Sequence, residues 1–219
     1  EKIPNSVIHL LRKCPPEAVS IRKDILVATR HILATDFRVG FFCHIDVLLD
    51  ESVLLGSTPS SIRASQEALR PLACSMLADL VHHVRGELSL HHLSRVVHIF
   101  AANIHDASLP LSIQITSVRL LLNLVESIFH KSRSEARALL VSILHCLAYR
   151  FTSLNEQIPR MLAEAEAAPN AAAGGALETG AASSSSASAA VASAKSSADT
   201  IKECKPLLTT MILGVKTVV

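Results

Sequence analysis

With 219 residues, 49% of them hydrophobic, and a positive mean hydropathy, the chain holds enough apolar material for a substantial core, which excludes a disordered tail as a description of the whole. Charged residues make up 18% and leave a formal net charge of +2, so no long-range field steers the chain onto nucleic acid or anionic lipid. Tyr149 is the single tyrosine and tryptophan is absent; base stacking needs aromatic platforms in a basic stripe, and direct nucleic-acid binding is not expected.

The five cysteines, Cys14, Cys43, Cys74, Cys146 and Cys204, are odd in number and widely scattered, most of them in apolar helical-looking stretches. Buried free thiols in a reducing compartment account for that usage better than a disulfide framework. No basic and then apolar leader opens the chain, and no run of about 18 apolar residues occurs, so neither a secretory signal nor a membrane partner is expected. The chain starts at Glu1 without an initiator Met and its apolar pattern is still running at Val218-Val219, which points to a longer parent.

Taken in order, Val7, Ile8, Leu10 and Leu11 suggest the tail of a first helix. Pro15-Pro16 then opens a second, Glu17 to Ala34, whose stripe of Val19, Ile21, Ile25, Leu26, Ile32 and Leu33 leaves Arg22, Lys23, Asp24 and Arg30 at intervening positions. Phe37 to Leu49 reads as a shorter helix and Gly56 to Ser61 as a loop. A long pattern from about Ser61 to Arg85 is interrupted by Pro71, which must kink or split it, and Gly86 is placed to end it in a left-handed conformation. Ser89 caps a segment from Leu90 to His105, and Leu109-Pro110 opens another that ends near Lys131. In the latter Leu111, Ile115, Val118, Leu121, Leu122, Val125 and Ile128 share one face, opposite Thr116, Arg119, Asn123 and Glu126. Ser132 and Glu135 have capping-box spacing ahead of a long helix through Leu139, Leu140, Ile143, Leu144, Leu147 and Phe151.

No stretch combines strict alternation with hairpin turn signals, so the fold class is all-α. Leu77-Ala78-Asp79-Leu80-Val81 aligns with Leu121-Leu122-Asn123-Leu124-Val125 at an interval of about 44 residues, within the range of HEAT-type repeats; Leu69 pairs with Ile113 and Val84 with Ile128. One amphipathic pair cannot bury its stripe alone, whereas stacking does so at roughly 1.5 to 3 kcal/mol per fully buried large side chain. The expected architecture is an α-solenoid of HEAT-like antiparallel helix pairs over residues 1–164. Residues 165–198 turn to Ala, Ser and Gly and are expected to form a low-complexity, mobile insert; a further repeat helix starts within 199–219, through Ile201, Leu207, Leu208, Met211, Ile212 and Val215.

Beyond periodicity, Lys13 to Arg38, KCPPEAVSIRKDILVATRHILATDFR, resembles a segment of the N-terminal solenoid of the transformation/transcription domain-associated protein (TRRAP) family. So do, in order, Asp50 to Gly56, Ala68 to Arg85, Ala102 to Glu126 and Leu213 to Val218. The resemblance implies a giant nuclear relative of the phosphatidylinositol-3-kinase-like kinases, with a HEAT solenoid, a FAT region and a kinase-like domain that lacks catalytic residues. It also implies a scaffold shared by SAGA and a second histone acetyltransferase complex, receiving transcription activators. No part of the kinase-like domain falls in this chain, and residues 165–198 look longer than the family pattern.

No catalytic, cofactor-binding or metal-binding residues are assigned, and no small-molecule substrate is expected. His91, His98 and His105 recur every seven residues, about 10.5 Å apart on a helix and too far to share an ion; His82-His83 and His91-His92 point about 100° apart. Gly-x-Ser-x-Gly is absent, Cys74 and Cys146 lie in apolar faces where a thiol stays protonated, and Gly174-Gly175 and Gly180 lack the strand and the Gly-Lys-Ser/Thr of a phosphate loop. The expected partners are proteins, met by exposed helical positions such as Arg85, Arg95, Arg119 and Glu126. A HEAT adaptor of another kind, a nuclear transport receptor or phosphatase scaffold, is the alternative. It would need a ladder of acidic or aromatic residues, and Asp79, Glu87, Asp106 and Glu126 keep no such register.

Overall fold

The computed structural model describes residues 2–56, 63–131, 133–173, 201–202 and 204–216. Along these run α1 (Lys2–Lys13), α2 (Val19–Leu33), a 3-10 segment (Asp36–His44), α3 (Ile45–Leu48), α4 (Glu51–Leu55), α5 (Arg63–Val84), α6 (Leu90–His105), α7 (Leu111–Phe129) and α8 (Arg133–Ala173). A last helix, α9, covers residues 204–216, and no strand occurs among the described residues.

The helices stack in two layers. α2 packs on α5 and α5 on α7, while α6 packs on α7 and α8. Leu77 and Leu121 occupy matching places in the first layer, and so do Val84 and Ile128, all buried, so the interval of about 44 residues in the sequence is the step from one stacked helix to the next. In the second layer Phe42 of the 3-10 segment meets the His92 ring of α6, edge to face at 6.5 Å. A continuous apolar core runs from Val7 and Leu26 through Met76, Phe100 and Leu121 to Leu147 and Met211. This is the all-α, two-layered stack of helix pairs that defines a HEAT-type solenoid.

Several local expectations change. The segment from Phe37 to Leu49 is not one helix but a 3-10 stretch followed by the short α3, begun by the Thr35 hydroxyl, which accepts from the Phe37 N–H at 3.3 Å. Pro71 neither ends nor splits α5, which runs on through it. The left-handed glycine is Gly56 (φ 86°), after α4, and not Gly86. After α5 the Glu87 N–H reaches the Val84 carbonyl at 2.9 Å, an ordinary tight turn that needs no positive φ. Ser89 does cap α6, accepting from the His92 N–H at 3.2 Å. Ser132, expected in a capping box, lies outside the described residues. α8 carries through Ala173, past the boundary expected at Ala165, in keeping with the helix propensity of alanine; residues 174–198 of that stretch lie outside the described residues.

α7 buries more than one face. Besides Val118, Leu121 and Ile128 it encloses Ile113, Gln114, Ser117, Leu120 and Leu124, because α5, α6 and α8 all pack against it. By length and composition α7, and Ser134–Ala163 within α8, are long and apolar enough to cross a membrane, a looser measure than an unbroken apolar run. α7 spends that apolarity on the core of the stack.

Candidate interaction surface

Polar side chains tie neighbouring helices together at the rim of the apolar core. Arg30 of α2 donates from Nε to Asp79 of α5 at 2.6 Å, and Arg95 of α6 reaches Asp46 of α3 at 2.7 Å. His92 Nε2 approaches the second Asp46 oxygen at 3.2 Å; this hydrogen bond first, then the charges of His92 and Arg95, hold the Asp46 carboxyl below its ordinary range. Arg70 of α5 spans Glu51 of α4 at 3.2 Å and Asp106 at the end of α6 at 2.7 Å. The Ser108 hydroxyl and N–H, with Arg70 behind them, hold Asp106 below the usual carboxylate value.

From Asp106 the ties continue inward. Gln114 of α7, buried, donates from Nε2 to the carbonyls of Asp106 and Leu109 at 3.1 and 3.2 Å and accepts at Oε1 from Arg150 of α8 at 2.8 Å. Glu51, Arg70, Asp106, Gln114 and Arg150 thus form a polar seam across α4, α5, the α6–α7 turn, α7 and α8.

Arg22 is the residue that periodicity misplaced. It does not face solvent with Lys23 and Asp24 but is 2% exposed, beneath α2. NH1 donates to the carbonyls of Val53 and Leu54 at 2.8 and 3.2 Å, and NH2 to that of Cys14 at 2.6 Å. These are carbonyls at the C-terminal ends of α4 and α1, where the helix dipoles are negative, so one cation satisfies acceptors that neither helix can pair internally. Gly56 is pressed against it: a Cβ there would lie 3.3 Å from Arg22 NH2 and 3.2 Å from the Pro16 backbone. A signal was available, since Arg22, Leu26, Thr29 and Leu33, spaced four, three and four apart, form the buried stripe of α2.

Cys14, Cys43, Cys74 and Cys146 are free thiols, with Cys14 and Cys146 buried and Cys43 exposed; Cys204 is buried as well. Cys146 Sγ lies 3.4 Å from His105 Nε2, a contact the sequence reading did not anticipate because α6 and α8 supply one partner each. Burial pushes the Cys146 thiol up to about 11, while burial and then the charge of Arg150 pull the His105 imidazole down. Both groups are therefore neutral near pH 7, and the pair is a thiol–imidazole hydrogen bond rather than an activated nucleophile. Among the described residues no three His, Cys, Asp or Glu side chains are grouped to hold a metal ion.

Of the positions expected to meet partners, Arg95 is committed to Asp46 and Arg85 folds back onto the His82 carbonyl at 2.6 Å. Arg119 and Glu126 stand exposed on one side of α7. Asp79 and Asp106 serve internal pairs, so the polar residues most tempting as an acidic ladder hold the stack together instead.

Stacked helix pairs with a shared core and outward polar edges define a helical-repeat protein of the HEAT class. The family model for the Tra1 HEAT repeat central region matches residues 1–219, and the chain belongs to that family. It is 46% identical over 157 residues to the transformation/transcription domain-associated protein of Danio rerio, covering 70% of this chain and 4% of the relative. It is 39% identical over 167 residues to the probable transcription-associated protein 1 of Dictyostelium discoideum, covering 75% and 4%. To the SAGA complex/NuA4 acetyltransferase complex subunit TRA1 of Saccharomyces cerevisiae it is 40% identical over 161 residues, covering 71% and 4%. The chain spans about 4% of the length of these curated relatives.

Proposed function

We propose that this chain is a non-catalytic scaffold segment of a nuclear transcription co-activator, offering helical-repeat surface to activators and to subunits of histone acetyltransferase complexes. The observation that carries the reading is membership of the Tra1 central HEAT family over the whole chain, with relatives named as SAGA and NuA4 subunits. The geometry supports it: the cross-helix polar groups are used to join repeats, and an elongated stack leaves its outer helix faces for partners. The parent's kinase-like domain, devoid of catalytic residues, lies outside this segment. Affinity purification of the tagged parent should return acetyltransferase-complex subunits at near-equal amounts. Recovery of the parent without any of them contradicts the reading.

A further inference from the structure

Between α4, α5 and α6 lies a cavity of about 200 Å³, open on one side. Its floor is apolar, made by Leu48, Leu54 and Leu55 with Leu77 of α5. Ala73 and Cys74 of α5 and Ala102 of α6 present small side chains to it, while His98 and Ile99 of α6 complete the wall. The Asn103 amide crosses to Cys74 Sγ at 3.4 Å and does not fill the space. An engineered apolar cavity of about 150 Å³ admits benzene, so this one takes a single large side chain; it falls short of the roughly 300 Å³ at which cofactor-sized pockets begin.

The rim adds charge. Arg70 stands between two carboxylates, Glu51 at 3.2 Å and Asp106 at 2.7 Å, and the Glu51 side chain is 69% exposed. Of these, Glu51 and Arg70 line the cavity, while Asp106, outside the lining, makes the shorter pair with Arg70; the exposed Glu51 carboxylate is left as the charge that an arriving cation meets.

We propose that this cavity receives one apolar side chain, of leucine or phenylalanine size, from a protein partner that carries a lysine or arginine beside that anchor. The proposal rests on the scaffold reading above for the partner's being a protein. An anchor buried in a pocket beneath a charged rim has the arrangement of an interface hot spot. Ala102 and Glu51 then decide specificity, one by volume and the other by sign.

Cys74 sits in the cavity wall, its thiol pushed by burial up to about 11, and reports occupancy by its rate of modification. The test uses the parent protein, washed free of partners at high salt, treated with methyl methanethiosulfonate and read by peptide mass spectrometry, with Cys146 as the internal control. Phenethylamine at millimolar concentration should slow modification of Cys74 roughly fivefold without slowing Cys146. 3-Phenylpropionate, the same ring on an anion, should protect several-fold less. Glu51→Lys should invert that preference, and Ala102→Phe, which fills the space from its rim, should abolish protection by either probe. Indifference of Cys74 to both probes, or equal protection by amine and acid, overturns the proposal. Either result leaves the scaffold reading intact if acetyltransferase-complex subunits still co-purify, so the two can fail separately.

Discussion

The two ends of this stack are held by different physics. From α6 to α8 the helices are long, and residues such as Phe100, Ile104, Leu121, Leu124 and Leu147 interdigitate with almost no exposure. Before α5 the same layer is made of a 3-10 stretch and two helices of four and five residues. Short helices expose proportionally more unpaired backbone, and there the structure recruits side chains: Arg22 for the ends of α1 and α4, Thr35 and Asp50 as caps. A repeat can therefore shed regular helix and keep its place in the stack, provided that a buried cation or cap takes over the orphaned backbone groups.

That contrast can be broken at either end. The largest effect is expected in the long-helix half: Leu121→Ala should cost about 3 to 5 kcal/mol and speed hydrogen exchange throughout α6, α7 and α8 of the parent protein. Arg22→Met should cost about 2 to 4 kcal/mol by stranding two buried carbonyls and one part-buried, with the accelerated exchange confined to α1, α2 and α4. Exchange spreading evenly to α7 would show that the two halves are one cooperative unit and dissolve the comparison. Gln114→Leu cuts the polar seam inside the long-helix half, between the α6–α7 turn and α8, and should cost about 1 to 3 kcal/mol. Arg30→Ala, removing an exposed ion pair, should change stability by less than about 1 kcal/mol, and less still at high salt.

Acid should sharpen the same picture. The folded His105 imidazole titrates below its ordinary value of 6.5, so its contribution is complete above that pH and is lost as pH falls toward the lowered folded value. Asp46 and Asp106, also lowered, keep their contribution above about 3.8 and lose it below, as each carboxylate is protonated. Protection factors, exchange corrected for its intrinsic pH dependence, should thus begin to fall around α6 to α8 as pH drops below 6.5, with the rim contacts of α3 and α5 following only in stronger acid. The reverse order would contradict these assignments.

Helix class, the borders of α6 and α7 and the repeat interval were legible in the sequence because each rests on local signals: a cap at Ser89, a proline at position 110, a stripe that recurs. What sequence patterning missed is non-local. Arg22 reads as a surface arginine until the C-terminal ends of two other helices are brought to it. The Cys146–His105 contact and the cavity at Cys74 depend on which small residues of one helix meet another. Of the two outcomes open at Pro71 the split does not occur, because packing around α5 holds the helix continuous through it. Gly86 carried the composition of a left-handed stop, but a simple turn suffices there, while the strained turn fell to Gly56, wedged against Pro16 and Arg22.

The stacking of α2 on α5 and the tie of α3 to α6 can be read directly by carbodiimide cross-linking of the parent protein carrying Arg30→Lys and Arg95→Lys. A two-layered stack predicts that mass spectrometry recovers amide links from position 30 to Asp79 and from position 95 to Asp46. Absence of both links, with position 30 or 95 joined instead to carboxylates of α8, would contradict it.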